Sequence, residues 1–237
     1  MAKMTKDKTP APAPAPCEKC EGLGYVMTER GAIQCQCVRE RLLMSAFRSA
    51  RIPRKFLNKS LENFQAKKSR QREIIVGAGQ FVQTFRGRDA EHPGKGLLLI
   101  GREGTGKTHV AVGILKEIIR RGFTGLYWNV PELFLELRRL MNDDVDRTEA
   151  DLFDEAANAD LLVLDDLGAE RVSDYVVDRL YVLINGRYEN DTATIITTNR
   201  TVEELRAQIG PRIASRICEM CVQMEFPQGD YRLMNLK

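Results

Sequence analysis

The sequence predicts a three-layer α/β domain with a parallel sheet, standing behind a small cysteine-bearing module. Two observations carry the α/β reading. From "GKGLLLIG" onward, short apolar runs alternate with helical stretches. Those runs are apolar on consecutive residues, as in strands covered by helices on both faces. The module is read from two cysteine pairs close together near the start of the chain.

Taken in order, residues 1–16 are expected to be a disordered tail, whose alternating Pro-Ala at 10–16 favours an extended conformation and packs no core. Residues 17–52 hold the cysteines and the amphipathic stretch "VRERLLMSAFRSARI", stopped near Pro53 because proline disfavours helix in the residue before it. Residues 53–95 are a connector, docking through Phe56, Leu61 and Phe64, and a helix near 67–86 with Ile74, Ile75, Phe81, Val82 and Phe85 on one side. The α/β domain occupies 96–237. Its strands are expected at 97–100, 124–130, 161–166, 193–199 and 222–226, and its helices at 107–121, 131–141, 149–158, 174–189 and 201–219.

A chain of 237 residues with 43% hydrophobic and 29% charged residues can bury one full domain and a smaller one. No apolar run is long enough to span a membrane, and "MAKMTKDKTPAPAPAP" lacks the apolar centre of a secretory signal. A cytoplasmic location without membrane contact is therefore expected. Charge is unevenly divided: residues 1–95 carry 19 Lys and Arg against 9 Asp and Glu, and residues 96–237 carry 17 against 24. The basic first part suits nucleic acid or an acidic protein surface, or is an ordinary solvated face.

The clearest chemistry lies in "GREGTGKT", which follows a strand and opens a helix. Gly101, Gly104 and Gly106 let the loop curl so that amides point at a phosphate, and the helix N-terminus favours the anion. Arg102, Glu103, Thr105 and His109 complete the nucleotide-binding segment. Lys107 is placed to reach β- and γ-phosphates, and the Thr108 hydroxyl to bind Mg²⁺. This is the P-loop of a P-loop NTPase. "LLVLDDLG" ends a buried strand in two acids; Asp165 suits Mg²⁺ held through water, and Asp166 the polarisation of an attacking water. Asn199 ends the next strand, 33 residues beyond Asp166. It either orients that water or simply makes a turn. Arg212 and Arg216 share one helix face. Arg216 either serves a neighbouring subunit's phosphates or pairs with Glu219 on the surface.

Together "GREGTGKT", "LLVLDDLGAE", "TIITTNR", "RIASRI" and "DYRLMN" resemble the AAA+ ATPases of the bacterial helicase-loader family, the DnaC and DnaI type, with the transposition ATPase IstB as a close relative. The resemblance covers about residues 50–237. It implies an AAA+/ASCE fold using ATP and Mg²⁺, with Asn199 as sensor-one residue, Arg216 as arginine finger across subunits and Arg232 as sensor-two arginine. The end of the chain just after Arg232 implies a domain without a C-terminal lid. Implied partners are a DnaB-type replicative helicase, single-stranded DNA and further copies of the chain. DNA contact is expected at "YWNVPELFLELRRLMNDD", where Tyr127 and Trp128 are either DNA contacts or strand core, and Arg138 and Arg139 either DNA contacts or a solvated face. An IstB-type ATPase acting on duplex DNA with a transposase is the alternative, and a zinc-dependent adaptor with ATP as a switch is a third.

Cys17-x2-Cys20 and Cys35-x-Cys37, flanking a hairpin, have the makings of a four-thiolate zinc site, with a redox dithiol or simple packing as the other readings. The resemblance supports Zn²⁺ and makes the module a head that docks a partner. Cys218 and Cys221, expected on one helix, are read as packing.

Overall fold

In the computed structural model, which describes residues 17–91, 94–140, 148–169 and 173–229, the chain divides into two units between Ser45 and Ala46. The Pro-Ala tail lies outside the described residues. The first unit is built on a hairpin. Strands β1 (Tyr25–Thr28) and β2 (Gly31–Gln34) pair antiparallel, with Val26 opposite Ile33. Thr28 Oγ1 closes their two-residue turn by donating to the Gly31 carbonyl at 2.8 Å. The Cys35 amide donates to the Gly24 carbonyl at 2.8 Å, which ties the second cysteine pair to the end of the first. Helix α1 (Gln36–Ser49) follows, and the unit boundary falls within it.

The second unit carries five parallel strands: β3 (Gly96–Ile100), β4 (Gly125–Asn129), β5 (Leu161–Leu167), β6 (Thr194–Thr198) and β7 (Cys221–Glu225). Their order across the sheet is β4-β5-β6-β3-β7. The strand leading into the P-loop is thus not adjacent to the strand bearing Asp165; β6 lies between them, with Leu98 opposite Ile196 on one side and Leu164 opposite Ile196 on the other. Residues Leu97–Leu99, Leu161–Leu164 and Ile195–Ile196 are almost fully buried, as the unalternated apolar runs require.

Helices cover both faces: α2 (Ser69–Thr84), α3 (Lys107–Arg120), α4 (Val130–Leu140), α5 (Glu149–Asn158), α6 (Asp174–Glu189), α7 (Val202–Ile209) and α8 (Pro211–Met220). Thr148 and Ser173 cap α5 and α6, which have the expected boundaries. The single helix expected at 201–219 is two. Gly210 turns the chain at φ +87°, and Pro211 begins α8 at the position where its missing amide proton costs nothing. The helix expected at 67–86 is trimmed at both ends.

The connector and α2 belong to the larger unit. A 3₁₀ turn at Arg54–Phe56 leads the chain along α3. There the Lys116 ammonium, nearly buried, donates to the carbonyls of Leu57 (2.6 Å) and Lys59 (2.8 Å), and Leu61 lies against Gly113. Among the described residues no helix is long and apolar enough to cross a membrane.

Arg187, on α6, is 1% exposed. It donates to the carbonyls of Ala156 (2.7 Å), Ala159 (3.0 Å) and Ala193 (2.6 Å) and to Thr194 Oγ1 (2.8 Å). One guanidinium thereby satisfies the end of α5, the approach to β5 and the start of β6. Burial lowers its pKa to about 9. Arg187→Met is expected to leave these acceptors unpaired and to destabilise the larger unit by about 3 kcal/mol or more, read from the denaturant midpoint, because each buried unsatisfied group costs about 1–3 kcal/mol.

Candidate active site

The P-loop joins β3 to α3. Gly104 and Gly106 have φ of +73° and +98°, turning successive amides toward one concavity. At Gly106 a side chain is excluded twice, by this backbone and by Phe64, whose ring would lie 2.6 Å from a Cβ. Lys107 is 7% exposed and folds across the loop, donating to the carbonyls of Gly101 (2.6 Å) and Arg102 (2.8 Å). Thr105 Oγ1 donates to the Arg102 carbonyl at 2.8 Å. The loop is braced by its own carbonyls.

Asp165 is the hub of the site. It is 5% exposed, yet three hydroxyls donate to its carboxylate: Thr108 at 2.8 Å and Thr197 at 2.8 Å to Oδ1, and Tyr127 at 2.7 Å to Oδ2. Burial and the facing Asp165 charge raise the Tyr127 pKa, so its hydroxyl stays a donor. Thr108 and Asp165 bring two hard oxygen donors within contact distance, the donor chemistry that suits Mg²⁺. The sequence reading missed Thr197 and the Tyr127 hydroxyl, for a polar group within a strand shows no partner in the sequence.

Asp166 adopts the left-handed conformation, φ +67°, at a register break between β5 and β6. Its amide donates to Thr197 Oγ1 at 2.9 Å. A non-glycine residue held there stores strain of order 1–3 kcal/mol. The irregularity separates two adjacent acids into one buried in the hydroxyl cluster and one half-exposed toward the cleft. The cleft, about 540 Å³, brings together Glu103, Gly104, Gly106, Lys107, Thr108, His109, Asp165 and Asp166, with Lys55 and Phe56 of the connector on its wall.

Asn199, at the end of β6, donates through Nδ2 to Glu103 Oε1 at 2.5 Å. His109 borders the cleft, but its ring is engaged by the connector: Nε2 lies 2.8 Å from the Ser60 carbonyl and 2.9 Å from Asn63 Oδ1, and Phe64 packs edge-on at 5.2 Å. Burial lowers its pKa. The imidazole thus serves the connector.

Arg216 lies elsewhere, in a groove of α7–α8 with Arg206, Arg212 and Tyr188 that shares no residue with the P-loop cleft. Its guanidinium stands 5.0 Å from the Tyr181 ring and 5.5 Å from the Tyr188 ring, donates to the Tyr181 hydroxyl at 3.3 Å, and leaves Nε buried without a partner among the described residues. Glu219 instead engages the Tyr188 hydroxyl, raising its pKa. Arg232 falls outside the described residues. Tyr127 and Trp128 are 3% and 6% exposed, so they are core and offer no face to a base; Arg51 stacks 4.1 Å over Trp128. Arg138 and Arg139 are exposed on α4, Arg139 paired with Glu136 at 3.7 Å. Cys218 and Cys221 do not share a helix: Cys221 begins β7, buried and bonded to the Thr194 carbonyl at 3.5 Å, while Cys218 is exposed.

In the first unit the sulfurs of Cys17, Cys20, Cys35 and Cys37 all lie within 4.8 Å of one another, with Cys17–Cys35 at 3.9 Å and Cys20–Cys37 at 3.5 Å. These are far from a disulfide's ~2.05 Å. They bracket the ~3.8 Å edge of a tetrahedron built on zinc–sulfur bonds of ~2.3 Å. The Gly24 amide does most to hold the Cys20 thiol down to about 7, while burial and the Cys20 sulfur push Cys37 up to about 12. Four sulfurs this close do not all ionise without a cation, and the set fits Zn²⁺. Metal analysis of the purified chain is expected to find one zinc per chain. Cys35→Ser is expected to lose it and unfold the hairpin while ATP affinity at Lys107 is retained.

The chain is similar to known proteins in sequence and in fold. The chain is 28% identical over 160 residues to the replicative helicase loader DnaC of Escherichia coli K12, covering 68% of this chain and 63% of that one, so it spans under two thirds of that relative's length. The crystal structure of the DnaC helicase loader superposes with a TM-score of 0.66 at 30% identity, covering 74% of this chain and 100% of that one. The crystal structure of DnaI follows at 0.64 and 28%, covering 74% and 95%. The model of the IstB-like ATP binding proteins matches residues 32–235, a span holding the P-loop, both adjacent acids and Asn199, and the chain belongs to that family.

Proposed function

We propose that this chain is an ATPase that loads a DnaB-type hexameric replicative helicase onto single-stranded DNA at an origin or restart site, hydrolysis driving its release. The observation that carries this is the likeness to the DnaC helicase loader, 30% identical over the whole of that chain. It is supported by a cleft whose P-loop, paired acids and Asn199 are the parts such hydrolysis needs.

Lys107, freed from the loop carbonyls, binds the β- and γ-phosphates. Thr108 and Asp165 would hold Mg²⁺, which when bound neutralises phosphate charge. Tyr127 and Thr197 keep the Asp165 oxygens oriented. Asp166, half-exposed toward the cleft, accepts a proton from the attacking water, and Asn199 orients that water or contacts the γ-phosphate. Arg216 serves the phosphates of a neighbouring copy; its position outside the P-loop cleft supports this, as does a guanidinium held by two tyrosine rings rather than by a carboxylate. Arg232 is the sensor-two arginine, and Arg138 and Arg139 contact DNA. The zinc-held first unit is the docking head, supported by exposed apolar side chains at Leu23, Tyr25 and Met27. The action is cytoplasmic.

Co-purification with a DnaB-type helicase and ATP-dependent transfer of that helicase to single-stranded DNA test the proposal; failure of both sinks it. Asp166→Asn is expected to bind ATP normally and to lose turnover by about 10²–10⁴-fold, the usual contribution of a general base. The family description favours one second reading, an IstB-type regulator of a transposase. Oligomers on duplex DNA, with stimulation of a transposase and none of a helicase, would decide for it.

A further inference from the structure

Glu103 is out of place by simple electrostatics: it puts a negative charge on the loop that cradles a polyanion. Its position explains what it does there. Oε1 accepts from Asn199 Nδ2 at 2.5 Å, across 96 residues of sequence. The other end of the same amide, Asn199 Oδ1, is buried and has no partner among the described residues. Among the described residues the Asn199 side chain is therefore held by one hydrogen bond, and its acceptor is a carboxylate. The Glu103 backbone amide and the Asn199 side chain keep the Glu103 carboxyl below the usual carboxylate range, so it is ionised at neutral pH. A charge-assisted bond of this kind is stronger than one between neutral groups.

Lys107 behaves in parallel: its ammonium is taken up by the carbonyls of Gly101 and Arg102. Two groups that a terminal phosphate would recruit are each held by an oxygen of the P-loop itself. For Lys107 the holders are backbone atoms present in any such loop. For Asn199 the holder is the side chain of Glu103.

We propose that Glu103 is a positioning residue that stands in for the terminal phosphate, holding the Asn199 amide until a nucleoside triphosphate displaces it. Triphosphate binding draws the Asn199 amide away from Glu103, whereas diphosphate binding leaves it in place. Glu103 thus lowers triphosphate affinity relative to diphosphate affinity and makes the release of Asn199 a signal of the triphosphate state. This rests on the ATP-site reading above and adds to it a residue that discriminates between nucleotide states.

The test is calorimetric titration of the full chain with ADP and with a non-hydrolysable ATP analogue, on wild type, Glu103→Gln, Asn199→Ala and the double variant. Glu103→Gln is expected to tighten the ATP analogue by about tenfold with ADP affinity unchanged, the scale of one hydrogen bond to a charged group. In steady state the same variant is expected to lower KM for ATP. In the Asn199→Ala background, adding Glu103→Gln is expected to move the ATP-to-ADP ratio by less than about twofold, because the bond is already gone. A ratio unchanged in Glu103→Gln overturns the inference, and so does a tenfold effect that persists without Asn199, which would be charge repulsion alone. A wild-type chain that binds neither nucleotide overturns the ATP-site reading itself.

Discussion

A buried carboxylate organises the active site. Asp165 sits at the end of β5 with almost no contact with solvent, and such a charge is tolerated only when its lone pairs are taken up. Three hydroxyls do this from three elements: Thr108 at the start of α3, Tyr127 in β4 and Thr197 in β6. The P-loop helix, the edge strand and the central strand are thereby tied to one point. The insertion of β6 between β3 and β5 makes the arrangement possible, because it brings Thr197 beside Asp165 and Asn199 beside the P-loop.

The same cluster accounts for the neighbouring strain. Two consecutive residues of a regular strand point to opposite faces, and a second acid on the far face would be buried against helices. The register break and the left-handed Asp166 avoid that outcome by turning the second acid toward the cleft. Thr197 participates in both events, donating its proton to Asp165 and accepting the Asp166 amide. One threonine therefore sets the separation of the two carboxylates to which the proposed chemistry is assigned.

The connector extends this control outward. Lys116 and His109, both on α3, hold the carbonyls of Leu57, Lys59 and Ser60, and Phe64 lies on Gly106 at the N-terminus of that helix. The segment before the α/β domain is thus bonded to the helix that carries the phosphate loop. The cysteine module is organised on a different principle, a short hairpin whose four sulfurs gather where a metal ion would replace the missing core.

Periodicity and local signals were enough for the strands, most helices, the P-loop, the paired acids and the cysteine hairpin. Each of those rests on neighbours within a few residues: unbroken apolar runs, glycines at fixed offsets, cysteines either side of a turn. The break at Gly210 and Pro211 is a local signal too, a glycine followed by a proline inside a helical stretch. The rest depended on contacts between distant segments. Thr197 is an ordinary strand residue until β6 is placed beside β5. Arg187 reads as a surface helix residue until the ends of α5 and β6 close over it. Glu103 is an anomaly in a phosphate loop until Asn199 arrives from the adjacent strand end, and Tyr127 and Trp128 suit a nucleic-acid surface until β4 buries them. Sequence pattern carries information about the periodic burial of a segment, whereas a hydrogen bond between segments exists only once the sheet order has been set.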